Sequence, residues 1–134
     1  MESAQERFKV DLILLTKAVG TLEKALVKAK ENRDDDIFRD AVIQRFEYTF
    51  ELSWKTMIAA SRYLGAEAKN PRDAIRSAFK FSWIQNPDAW FDALDARNQT
   101  SHTYHEEVAK EVFEVARQFP EHVRELINNL NSIS

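Results

Sequence analysis

Five residues punctuate this chain, and their positions constrain its fold more than any other feature. Gly20, Gly65, Pro71, Pro87 and Pro120 are the only glycines and prolines among 134 residues. A β-sheet protein needs a turn after every short strand. Such turns draw on glycine for positive φ and on proline for a preset φ. So few turn-formers argue against a multi-stranded sheet and favour a few long helices with few connections. Two of the prolines follow asparagine, in Asn70-Pro71 and Asn86-Pro87. Each pair joins an N-cap oxygen to a residue whose missing N–H is harmless in the first helical turn.

The apolar spacing agrees. Phe8, Leu12, Leu15, Val19, Leu22 and Leu26 recur at steps of four and three, which predicts a helix from Ser3 to Glu31 with a seam close to a heptad pattern. Gly20 is tolerated inside it. Asp34, Asp35 and Asp36 stand just before the next pattern and read as capping oxygens and favourable N-terminal charge, not as a metal cluster. The second helix runs to Leu64 and stops at Gly65, with Ile43, Phe46, Phe50, Trp54, Met57 and Leu64 on one face. Asn70-Pro71 opens a short helix carrying Ile75, Ala78 and Phe79 inward, while Arg72, Arg76 and Lys80 form an outward row. Asn86-Pro87 opens another, with Trp90, Phe91 and Leu94 inward and an end at Arg97 or Asn98. Thr103 and Glu106 form a capping box for the last helix. Val108, Val112, Val115, Phe119, Val123, Leu126 and Leu130 keep phase across Pro120, which predicts one kinked helix. The expected fold is all-α: a single domain over residues 1–134, an up-and-down four-helix bundle with one leg built from two short helices.

Composition narrows the function classes. Without cysteine there is no disulfide framework and no thiolate metal site, which fits a cytoplasmic location. No apolar segment follows a basic one at the N-terminus, so no secretory signal is expected. No run approaches the roughly 20 apolar residues of a membrane span. A net charge of −3 argues against a general polyanion binder and leaves room only for a local basic patch. The near-heptad seam and the many aromatics suggest surplus apolar surface, hence a homodimer.

The chemistry-bearing stretch is Arg97-Asn98-Gln99-Thr100-Ser101-His102-Thr103-Tyr104. In an unbroken helix, Arg97 and His102 would point about 140° apart. The intervening polar residues argue for a break, which lets both side chains serve one site. Arginine grips phosphate with two parallel hydrogen bonds, and histidine moves a proton near neutral pH. Together they suffice for metal-independent RNA cleavage. Spacing alone favours the plainer reading, an arginine closing a helix and a histidine in a loop. On the second helix, Glu47 lies about 20° around the axis from Trp54, and Glu51 sits at the edge of the same stripe. Either they reach outward at a margin or they line a polar pocket. Glu51 and Lys55 also form an i,i+4 pair.

The segment from Asp40 through Arg45-Phe46-Glu47-Tyr48-Thr49-Phe50-Glu51 to Ser53-Trp54-Lys55 resembles the signature of the nucleotidyltransferase substrate-binding protein family, a branch of the HEPN superfamily. Asn70-Pro71-Arg72 and Asp95-Ala96-Arg97-Asn98-Gln99-Thr100-Ser101-His102-Thr103-Tyr104 resemble it too, so the likeness spans nearly the whole chain in order. The resemblance implies a dimeric four-helix bundle working with a separate minimal nucleotidyltransferase, and it implies two roles. In the first, the chain is the substrate-binding subunit of a two-component nucleotidyltransferase. Glu47, Glu51, Trp54 and Lys55 are then the binding groups, and nucleotide and divalent metal sit on the partner, with no cofactor or metal in this chain. In the alternative, the chain is a toxin ribonuclease in which Arg97 and His102 are catalytic and Asn98 assists. The partner then neutralises it by adenylylating Tyr104. The two roles are compatible, since a toxin modified at Tyr104 is itself its partner's substrate.

Overall fold

The computed structural model describes residues 2–134; Met1, the first residue of the expected domain, lies outside them. Five α-helices follow in order: α1 (Ala4–Glu31), α2 (Asp36–Tyr63), α3 (Pro71–Lys80), α4 (Pro87–Asn98) and α5 (Glu106–Asn131), with a single 3-10 turn over Thr100–His102 between the last two. No strand occurs among the described residues.

The helix starts follow local chemistry. Side-chain oxygens of Ser3, Asp35, Asn70 and Asn86 each accept a hydrogen bond from a backbone N–H in the first turn, and Pro71 and Pro87 open α3 and α4. Of the three aspartates, Asp35 is the cap. The stop at Gly65 is a Schellman motif: with φ at +81°, Gly65 donates to the Arg62 carbonyl and Ala66 to the Ser61 carbonyl, at 3.0 and 2.8 Å. α3 ends the same way without glycine. Ser82 takes φ of +62°, while Ser82 and Trp83 donate to the carbonyls of Phe79 and Ala78.

α1 and α2 run antiparallel. Phe8 stacks on Tyr63 at 5.7 Å, and Arg45 Nη1 donates to the Thr21 carbonyl at 2.8 Å. α5 packs against both, and α3 with α4 completes the ring between α2 and α5. α4 runs antiparallel to α5: Asn129 Nδ2 reaches the Trp83 carbonyl, Gln85 N–H donates to Glu125, and Trp90 meets Phe119 edge-on at 5.1 Å. Phe46, Phe50, Trp90 and Phe119 form an aromatic centre with ring separations of 5.1 to 6.4 Å. It joins α2, α4 and α5. The expected bundle, with two short helices as one leg, is what forms.

Several expected positions differ. Leu64 and Phe79 are exposed, at 45% and 51%. Leu64 is the C-cap of α2 and Phe79 lies in the last turn of α3, so each sits where its helix runs out of neighbours. Trp54 and Phe91 are half-buried flanks of the core. On α5, the core line passes through Ala109 and Ala116, leaving Val108 and Val115 at its margin. The close approach of α5 needs small residues there, and a count of large apolar side chains misses them. α5 continues through Pro120, which is buried. The capping box does not form: α5 starts after His105 with no side-chain cap. Thr103 Oγ1 donates instead to the Thr100 carbonyl at 3.2 Å. The 3-10 turn uses up the residues that a Thr103 cap requires and delays the helix to Glu106.

Candidate functional site

The polar stretch lies where α4 hands over to α5. Arg97 and Asn98 close α4, Gln99 caps it, and Thr100–His102 tighten into the 3-10 turn. Successive backbone bonds, Gln99 to Ala96, His102 to Gln99 and His105 to His102, wind the junction without an extended loop. Thr100 Oγ1 also lies 2.8 Å from the Arg97 carbonyl.

Two side-chain links tie this junction to α2. The Arg97 guanidinium pairs with the Glu51 carboxylate, and the Thr100 hydroxyl donates to Glu47. Glu51 also accepts from Trp54 Nε1 at 3.2 Å. The expected Glu51–Lys55 pair is therefore replaced. At the edge of the apolar stripe Glu51 turns toward α4, where a half-buried guanidinium offers a stronger partner than a solvated ammonium on its own helix. Arg97 Nη1 also lies 3.4 Å from Asn98 Oδ1.

His102 and Tyr104 are exposed, and Tyr104 shows 76% of its surface. Their rings meet edge-on at 6.2 Å, and the Tyr104 ring lies 4.5 Å from His105. The break occurs as expected, but among the described residues no hydrogen bond or ion pair links Arg97 to His102. Tyr104, Thr103 and Thr100 border a shallow cleft of about 350 Å³ whose other wall is α2, through Asp40, Gln44 and Glu47. Trp54 and Lys55 belong to a different cleft, beside the start of α1, with the Lys55 ammonium 5.9 Å from the Trp54 ring. The four candidate binding residues thus divide: Glu47 and Glu51 face the junction, Trp54 and Lys55 line the neighbouring cleft, and the Trp54–Glu51 bond connects them. Thr100 is the contributor that sequence reasoning left unassigned. Its hydroxyl gave no signal distinct from the other polar residues around it.

The described residues contain no group of three or more His, Asp and Glu side chains placed to hold a metal ion, and no described helix is long and apolar enough to cross a membrane.

Comparison with known proteins points one way. Residues 10–132 match the family described as "Nucleotidyltransferase substrate binding protein like". A Haemophilus influenzae protein named "Probable ribonuclease HepT" is 33% identical over 121 residues, covering 78% of this chain and 81% of that protein. A solved Haemophilus influenzae structure, described as revealing the fold of a substrate binding domain of a nucleotidyltransferase, superposes with a TM-score of 0.80 at 28% identity, over 90% of this chain and 98% of the other. A Thermus thermophilus crystal structure matches with a TM-score of 0.62 at 34% identity, over 84% and 97%. With the family match running through α2, the Arg97–Tyr104 junction and all of α5, this chain belongs to the nucleotidyltransferase substrate-binding protein family.

Proposed function

We propose that this chain is a metal-independent ribonuclease of its family and that it works opposite a separate nucleotidyltransferase. The observation that carries the reading is the likeness to a relative named as a ribonuclease, over a chain that sets an exposed His102 five residues after Arg97 at the α4–α5 junction. His102 takes the proton of a ribose 2′-hydroxyl. The 2′-oxygen bonds to the adjacent phosphorus, and the bond to the 5′-oxygen breaks as that oxygen takes a proton from water, His102 returning its own proton to solvent. A cyclic phosphate and a 5′-hydroxyl result. Arg97 offsets the charge gathering on the phosphorane oxygens, and Asn98, within reach of its guanidinium, steadies it. No step draws on a metal. A phosphate must compete with Glu51 for Arg97, so the resting pair also sets how readily the site accepts substrate.

The family description favours a second role that coexists with the first. Tyr104, at the rim of the shallow cleft and widely exposed, is a suitable acceptor for an adenylate group that the partner transfers from its own nucleotide and metal. Added there, the group crowds His102. Val10, Ile13 and Leu14, exposed together on α1, supply an apolar face for a homodimer.

Expression of the wild type and of His102→Ala in cells, followed by growth and RNA integrity, tests the ribonuclease. RNA loss with the wild type alone is expected, and purified protein should cleave RNA in the presence of a chelator. Equal, harmless expression of both would remove the reading. Mass spectrometry after co-expression with the partner tests Tyr104: one adenylate is expected there, and Tyr104→Phe should carry none.

A further inference from the structure

The cleft holding Trp54 and Lys55 lies between the start of α1, the C-terminal half of α2 and the segment before α3, and measures about 540 Å³. Arg7, Lys55, Arg62 and Lys69 border it, against the carboxylates of Glu2 and Asp11. Both acids are engaged by Arg7, at 3.6 and 3.3 Å. Lys55, Arg62 and Lys69 have no carboxylate within 4 Å among the described residues, a state they share with other cations such as Lys30 and Arg33, while Arg76, Lys110 and Arg117 each have one. In a chain of net charge −3, three cations without a carboxylate within 4 Å thus gather around one concavity, with the charge of Asp11 also acting on Lys55. Its wall includes the half-buried indole of Trp54, while Trp83 and Trp90 are 3% and 1% exposed.

The spacing of the cations argues for an extended ligand. Lys55 and Arg62 are two helical turns apart on α2, about 10 Å along the axis, and Lys69 comes from another segment. Groups so spread suit successive phosphates of a strand better than the single phosphate cluster of a mononucleotide. Side chains link the cleft to the candidate site, since Trp54 bonds to Glu51 and Glu51 to Arg97.

We propose that this cleft is a strand-holding subsite for single-stranded RNA: Lys55, Arg62 and Lys69 take backbone phosphates and Trp54 takes the face of a base beside the Arg97–His102 site. The assignment of the strand as the enzyme's substrate rests on the ribonuclease reading; the cleft's affinity for it does not. The Lys55 ammonium, now over the indole, swings to a phosphate and frees the ring for stacking.

Binding of a fluorescein-labelled single-stranded RNA to the full chain carrying His102→Ala, followed by anisotropy over a range of salt, tests this without cleavage. Arg62→Gln with Lys69→Gln is expected to weaken binding about tenfold or more and to lower the salt slope by about 1.4, roughly 0.7 for each lost phosphate contact. Arg76→Gln with Lys110→Gln, removing cations that already have carboxylate partners, serves as the control and should change little. Equal losses in the two pairs, or none in the first, overturn the proposal. On the protein without cleft substitutions, RNA should quench the tryptophan emission, and Trp54→Phe should abolish that quench; saturating RNA without any quench also overturns it. ATP binding in the cleft as tightly as RNA would assign it to a free nucleotide and overturn the strand assignment. RNA held in the cleft by a wild type that never cleaves would sink the ribonuclease reading and leave the subsite standing. Normal cleavage with unaltered binding in the cleft variants would do the reverse.

Discussion

The Arg97 guanidinium closes on the Glu51 carboxylate, joining the last turn of α4 to the middle of α2. Glu51 holds Trp54 with its other oxygen. One half-buried carboxylate therefore orients both the arginine of the candidate site and the indole of the neighbouring cleft.

Removal of that carboxylate leaves two donors without their acceptor. Glu51→Ala should cost about 1–2 kcal/mol, a figure kept low because both partners retain contact with water. Glu51→Gln keeps an acceptor and should cost less. In urea unfolding, the midpoint of Glu51→Ala should fall furthest with an unchanged slope. Midpoints equal to the wild type would mean that the pair contributes nothing.

Ser82 holds a left-handed backbone without being glycine. Relief of the clash between its Cβ and the backbone outweighs the extra freedom that glycine brings to the unfolded chain. Ser82→Gly should therefore stabilise by about 0.5–1 kcal/mol, read as a higher melting temperature. Destabilisation would contradict the conformation at the end of α3.

Thr103 and Asn70 separate an apparent cap from a real one. The Asn70 side chain accepts from the Asp73 N–H at 2.9 Å, so Asn70→Ala should cost about 1 kcal/mol. Thr103 caps nothing, and Thr103→Ala should cost about 0.5 kcal/mol or less. Thermal melts of the two variants decide it. The reverse order would restore the capping box.

Asp11 is a buried acid on α1, 4% exposed. Burial raises its pKa above the usual 3.8, and the nearby Arg7 only partly opposes this. The folded chain therefore holds this proton more tightly than the unfolded chain. The stabilisation is complete below the ordinary value and is lost as pH rises through the raised one. Asp11→Asn never ionises. It should melt above the wild type at neutral pH, with the gap closing on acidification below the ordinary carboxylate range. A gap that widens in acid would reverse the assignment.

What the sequence could disclose was mainly local. Asn70-Pro71, Asn86-Pro87 and Gly65 announce helix ends because caps and positive φ are settled within a few residues. The bundle follows from stripes on three long helices. The errors have separate physical origins. Leu64 and Phe79 fit the period but lie where their helices end. Ala109 and Ala116 reach the core because they are small, and Thr103 satisfies a motif that the 3-10 turn pre-empts. At the candidate site, the residues were legible but their pairing was not. Glu51 had a local partner on offer in Lys55, four residues away, and its actual partner Arg97 lies on another helix that only the fold brings near.

The winding of the α4–α5 junction bears on how the protein comes apart. α1 and α2 form an antiparallel hairpin, and α2 brings Glu47 and Glu51 to the site on that firm support. The other half, Arg97 to Tyr104, is fastened to α2 by two side-chain links, from Arg97 and Thr100, and is wound internally by a few short-range backbone bonds. Such a junction is the natural place for local opening at a free energy well below that of global unfolding. Amide exchange should then be fastest among Gln99–Thr103 while the helices on either side remain protected. Warming would silence the site before it melted the bundle.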